Sequence, residues 1–189
     1  MQVFKLCVSV VNKNVDGIEV GVEFQVNTET ANQQDEPVVA GLSGGGFVIA
    51  WSSEGQDGSS DGIFAQRFTA TGAAVDGEFR VNEHTAGTQY EASITALSDG
   101  GFVITWTSNG QDTDIHGVYG QRFDATGDPV GPELHVSTTI VSDQKTSSVS
   151  ELENGEFIVL WTSGGQDGSG YGVYGQRFDA TGEPVGLEF

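Results

Sequence analysis

The feature that most constrains this chain is an internal period of 55 residues. Trp51, Trp106 and Trp161 are each separated by that spacing, and the runs 46–51, 101–106 and 156–161 around them align without a gap. Gln66-Arg67-Phe68 recurs as Gln121-Arg122-Phe123 and Gln176-Arg177-Phe178, each followed by an Ala-Thr-Gly turn ending at Gly72, Gly127 or Gly182. Glu23, Glu78, Glu133 and Glu188 open a further segment in the same register. A fixed period of this order marks a solenoid, a propeller or a tandem array, because each unit must bury one face on its neighbour.

Within a unit the pattern predicts four short strands. In the middle copy the first lies near 93–97, where apolar residues alternate, and the second over 102–107. Between them, Ser98-Asp99-Gly100-Gly101 places glycine after aspartate, which suits the positive φ of a tight hairpin. A polar loop over 108–116 leads to a third strand at 118–123, with Tyr119, Gln121 and Phe123 on one face. A fourth strand begins at Glu133. The expected fold is therefore all-β: tandem four-stranded antiparallel meanders, propeller-like, with about three blades that stand open or are completed by another chain. The units are 23–77, 78–132 and 133–187, with a degenerate partial unit over 1–22 and the start of another at 188–189. An array that begins and ends inside a unit leaves unpaired strands, so the expectation is a homo-oligomer or polymer joined through terminal strands, or a piece of a longer array.

Charge narrows the partners. Seven Lys and Arg stand against 27 Asp and Glu, a formal net charge of −20. Nucleic acid and anionic membrane surfaces are excluded, since both select cationic groups, whereas divalent cations gain as partners. Cys7 is the single cysteine, so neither an internal disulfide nor a thiolate cluster can form. The apolar opening 1–8 reads as a strand, lacking the cationic start and small-residue cleavage site of a secretion signal. No window approaches the roughly 20 apolar residues that span a bilayer.

The loop after each Trp strand is the candidate metal site. Asp57, Ser59 and Asp61 place oxygens at first, third and fifth positions with Gly62 at the sixth, the opening half of a calcium loop. Asp112 and Asp114 stand at the matching places of the second copy, Asp167 and Ser169 at those of the third. The closing bidentate glutamate is missing, because Phe68, Phe123 and Phe178 occupy the twelfth position. The alternative is that Gly, Asp and Ser form a solvated connection. Calcium is the one cofactor expected.

Trp51, Trp106 and Trp161 read as repeat core, with a sugar-stacking surface as the alternative. Arg67, Arg122 and Arg177 take three of the seven cations at one repeat position, which points to a structural ion pair or bonds to backbone carbonyls. His84, His116 and His135 fall at unrelated positions, and no nucleophile, base and orienting group recur together, so no enzyme is expected.

The Gly-Gly-Phe-Val-Ile-Thr-Trp strand, Gly-Gln-Asp-Gly-Ser loop, Val-Tyr-Gly-Gln-Arg-Phe-Asp strand and Ala-Thr-Gly-Glu-Pro-Val-Gly turn resemble repeats of large secreted bacterial surface proteins. Such repeats travel with haemolysin-type, RTX-like calcium-binding modules. The resemblance covers 23–189 and implies an extracellular or cell-surface, adhesin-like setting. The Gly-Gly-x-Gly-x-Asp nonapeptides of the calcium-binding β-roll are absent, so its sites do not carry over. The functional expectation is a non-enzymatic structural or adhesive module that self-associates, stiffened by calcium. The alternative is a carbohydrate-binding, propeller-like lectin with one glycan site per repeat.

Overall fold

The computed structural model describes residues 9–10, 23–112, 115–139 and 142–189. Two short strands come first, β1 (Ser9–Val10) and β2 (Phe24–Gln25), paired antiparallel. Three four-stranded antiparallel sheets follow. The first holds β3 (Gln34–Gly41), β4 (Phe47–Glu54), β5 (Asp61–Phe68) and β6 (Ala74–Arg80). The second holds β7 (Thr88–Ala96), β8 (Phe102–Asn109), β9 (His116–Phe123) and β10 (Leu134–His135). The third holds β11 (Gln144–Glu151), β12 (Phe157–Gly164), β13 (Tyr171–Phe178) and β14 (Pro184–Val185). Within each sheet the spatial order is the chain order, which makes each a meander. The only helical element among the described residues is a 3-10 turn at Glu153–Gly155.

The runs Phe-Val-Ile-Ala-Trp and Phe-Val-Ile-Thr-Trp are apolar on both sides of the strand, which requires a sheet covered on both faces. Ile49 and Trp51, buried with Phe64 and Phe68, and the partly buried Phe47 form what we call the front face of the first blade, met by Phe24 and Val26. Its back face, Val48, Ala50, Ile63 and Ala65, is buried on the front of the second blade, Phe102, Ile104, Trp106, Tyr119 and Phe123. The back of the second, with Val103 and Val118, is buried on Phe157, Val159, Trp161 and Phe178 of the third. Every internal junction is therefore back on front.

The sheets do not begin where the sequence units begin. β6 straddles the boundary at 77/78, because the residues after it reach onto the next blade: Phe79 lies 5.4 Å from Phe123, as Phe24 lies 5.4 Å from Phe68. β1 and β2 pair Ser9 with Gln25 and Val10 with Phe24, the same register as Phe64 with Arg80 and Ala65 with Phe79. They are thus the third and fourth strands of a preceding blade. The strand expected over 1–8 lies outside the described residues.

Each first strand also carries a bulge that the sequence does not announce. The register shifts between Asp35 and Val38, Tyr90 and Ser93, and Lys145 and Ser148. Glu36, Glu91 and Thr146 sit at these points with φ of 51°, 54° and 57°. A left-handed residue that is not glycine is uncommon, and side-chain contacts across the blade junctions hold these three. Glu36 accepts from the Glu91 N–H at 2.9 Å, and Glu91 accepts from the Thr146 hydroxyl at 3.3 Å.

Candidate binding cleft between the first and second blades

The loop after each Trp strand is tied down by the same residues in every copy. Gln56, Gln111 and Gln166 donate to Glu78, Glu133 and Glu188 respectively. The same carboxylates accept backbone N–H groups of the linker that precedes the blade's first strand, from Thr28 at 2.7 Å, Glu83 at 2.7 Å and Thr138 at 3.0 Å. This clasp joins loop, outer strand and linker. The repeated glutamates were visible in the sequence as landmarks, but only spatial pairing gives them a role.

The candidate metal ligands sit within this clasped loop. Asp57 accepts from the Ser59 N–H at 3.0 Å and from the Asn82 amide at 3.3 Å. Its carboxylate lies against Gly62 so closely that an added Cβ would stand 2.6 Å from Oδ2, and Asp112 lies against Gly117 in the same way. Asp167 accepts from the Ser169 N–H at 3.0 Å. Ser59 turns its hydroxyl to the Gly87 carbonyl. Asp61 points elsewhere, into a cleft described below, and Asp114 lies outside the described residues. Among the described residues no three His, Cys, Asp or Glu side chains converge as a metal ion requires. Glycine thus makes room for Asp57 and Asp112, and backbone N–H donors meet Asp57 and Asp167.

Trp51, Trp106 and Trp161 are fully buried at the front of each blade. Phe68, Phe123 and Phe178 are buried beside them, stacked on Phe47, Phe102 and Phe157 at 5.1, 4.9 and 5.1 Å. The repeated arginines meet three different partners. Arg67 donates to the Ala125 carbonyl of the next blade at 2.8 Å and pairs with Asp76 at 2.8 Å. Arg122 pairs with Asp99, and Arg177 with Glu156. The last partner exists because Glu156 stands where Gly46 and Gly101 tuck under a strand carbonyl; an added Cβ there would come within 2.4 and 2.3 Å of it.

Where the blade junction opens at the ends of the strands, the repeat ceases to be regular. Between the first and second blades lies a cleft of about 380 Å³ lined by Asp35, Glu36, Glu54, Asp61 and Tyr90, with Ser52 and Thr88. The equivalents of Asp35 are Tyr90 and Lys145, those of Glu54 are Asn109 and Gly164, and those of Asp61 are His116 and Tyr171. In the next junction His116 reaches across to the third blade, pairing with Asp143 at 2.8 Å and meeting Asn109 at 3.2 Å. Lys145 lies over the Tyr171 ring at 5.5 Å.

The electrostatics of the cleft follow from its lining. Burial, reinforced by Asp35, Glu54, Glu36 and Asp57, raises the Asp61 carboxyl above its ordinary value. Burial and the charges of Glu91, Asp143 and Glu36 likewise raise the Tyr90 phenol, which stays protonated as a donor. The arrangement offers several oxygen acceptors, a phenol and a half-buried aromatic ring in one concave site. Sequence reasoning isolated Asp61 but missed Asp35, Glu36, Glu54 and Tyr90. The available signal was the divergence of Asp35, Tyr90 and Glu54 from their counterparts at positions flanking invariant ones, a signal that Glu36, repeated as Glu91, does not give.

No protein-family model and no curated protein matches the chain. Solved structures do. An α-L-arabinanase of Penicillium chrysogenum, solved with arabinobiose, is similar over 88% of this chain and 55% of its own, at a TM-score of 0.58 and 14% identity. A protein of unknown function from Dyadobacter fermentans is similar over 82% of this chain and 55% of its own, at 0.57 and 12%. A thermostable family-43 glycoside hydrolase is similar over 95% and 70%, at 0.54 and 9%. The chain spans little more than half the length of the first two. The fold is all-β and propeller-like. At these identities the likeness is one of architecture.

Proposed function

We propose that this chain is a carbohydrate-binding, propeller-like module whose site is the cleft between the first and second blades. One observation carries the reading. Positions that hold the blades together repeat from copy to copy, whereas Asp35, Glu54, Asp61 and Tyr90 have different residues in the other copies, although all are open to a ligand. Sugar hydroxyls are donors that suit clustered carboxylate acceptors, and an aromatic face suits the C–H face of a pyranose or furanose ring. The likeness to an arabinanase and a family-43 glycoside hydrolase, both carbohydrate-active, supports the ligand class. Because the lining diverges, this reading places one site in the chain rather than one per repeat.

Titration calorimetry with arabino- and xylo-oligosaccharides tests it. Binding is expected, with Tyr90→Ala weakening it about tenfold, the equivalent of 1.4 kcal/mol. Lys145→Ala, at the equivalent place in the third blade, should leave it unchanged. Absence of binding to any oligosaccharide would overturn the reading, and release of shorter sugars would replace binding with hydrolysis.

A second reading, a structural or adhesive module that self-associates, is favoured by a different observation: the apolar face that the third blade leaves uncovered.

A further inference from the structure

Among the described residues the two ends of the blade stack are unlike. On the back of the third blade, Ile158, Leu160 and Val173 occupy the places of Val48, Ala50 and Ile63 in the first blade and of Val103, Thr105 and Val118 in the second. The first- and second-blade residues are fully buried, whereas Leu160 is 38% and Val173 76% exposed. Val185 and Phe189 lie on the same face, opposite Arg177 and Gly175, and are also exposed. Most of the large exposed apolar side chains among the described residues belong to the third blade. Such a contiguous patch marks an interaction site.

At the other end, the described residues close the front of the first blade only in part. β2 covers its outer portion through Phe24 and Val26. Val39, on the inner strand β3, stays 64% exposed, although its equivalent Val149 is buried under the second blade. The cap itself is slight, with β1 and β2 joined over two residue pairs.

We propose that the back of the third blade docks on the front of the first blade of a second copy, taking the place of the β1–β2 cap. The occupant follows from the repeat, since every junction described inside the chain sets a back face on a front face, and among the described residues the first blade has the one front not covered by a four-stranded sheet. Phe189 stands at the repeat position of Phe24 and supplies the same ring for Phe68. Ser148 stands at the position of Ser93, whose hydroxyl accepts the Val149 N–H at 3.3 Å across the second junction, so it is placed to accept the Val39 N–H of the second copy. The contact is heterologous and can propagate through a sheet face rather than through strand edges.

Light scattering on the purified chain at tens of micromolar tests this. The wild type is expected to form dimers and larger species, while Val173→Glu and Val39→Glu each give monomers with unaltered circular dichroism, both residues being exposed in the single chain. Mixing the two variants should restore a dimer and nothing larger, because one partner retains its back face and the other its front. A wild-type monomer would overturn the proposal. So would association that Val39→Glu leaves intact, which is the signature of two back faces meeting.

Discussion

The second and third blades place closely similar strands in different surroundings. β8 is buried at seven consecutive residues, 102–108, because a blade lies on each of its faces. β12 alternates between buried and less buried positions, because only its front is covered. Phe102-Val103-Ile104-Thr105-Trp106 and Phe157-Ile158-Val159-Leu160-Trp161 are nearly the same run. Burial in a stacked repeat is therefore a property of the neighbours, and the hydrophobic pattern only makes it available.

The strongest test asks what the two blades share. Trp106→Ala and Trp161→Ala each remove a fully buried indole from a covered front face, and each should cost about 3–5 kcal/mol in denaturant unfolding. A cost below about 1 kcal/mol at Trp161 would mean that the third blade does not depend on its front contact.

The next test asks where they differ. Val118→Ala removes two buried methyl groups and should cost about 2 kcal/mol, whereas Val173→Ala, at the equivalent but exposed place, should stay within about 0.5 kcal/mol in the monomer. Equal costs would erase the contrast between the blades.

The smallest effect concerns the clasp, which lies within a blade and its linker and should not sense the missing neighbour. Burial raises the Glu188 carboxyl, but hydrogen bonds from Thr138, Gln166 and Thr139 outweigh it and leave the group below its ordinary value of 4.5. A carboxyl lowered in the folded state contributes stability that is complete above the unfolded value and drains away as pH falls through the folded one. Glu188→Gln should therefore cost about 1 kcal/mol or less at neutral pH, and the difference from wild type should vanish in melts recorded well below pH 4.5.

Much of this architecture is legible in the chain. The 55-residue spacing of Trp51, Trp106 and Trp161 fixes the number of four-stranded sheets, and Asp99-Gly100 marks a hairpin that forms with Gly100 at φ 94°. The boundaries at 78 and 133 miss the sheet edges because a period has no preferred origin; only packing tells that Phe79 belongs over Phe123. The aspartate spacing in the loops resembles half a calcium site, yet Asp57 meets a backbone N–H and a neighbouring glycine, contacts no spacing rule contains. The cleft is hidden for a similar reason. Asp35, Glu54, Asp61 and Tyr90 lie on four strands of two blades, and a linear pattern does not show that they share a space.

The sequence by itself determined a repeated antiparallel meander, its core aromatics and its strongly acidic charge balance. Those follow from local alternation, turn chemistry and composition, which need no partner. Only the tertiary structure decided which apolar faces are covered, where the arginines and loop aspartates find their partners, and that an acidic cleft opens at one junction where a His116–Asp143 pair stands at the next. Burial, ion pairing and cavity shape arise between residues distant along the chain, at distances that sequence order does not encode.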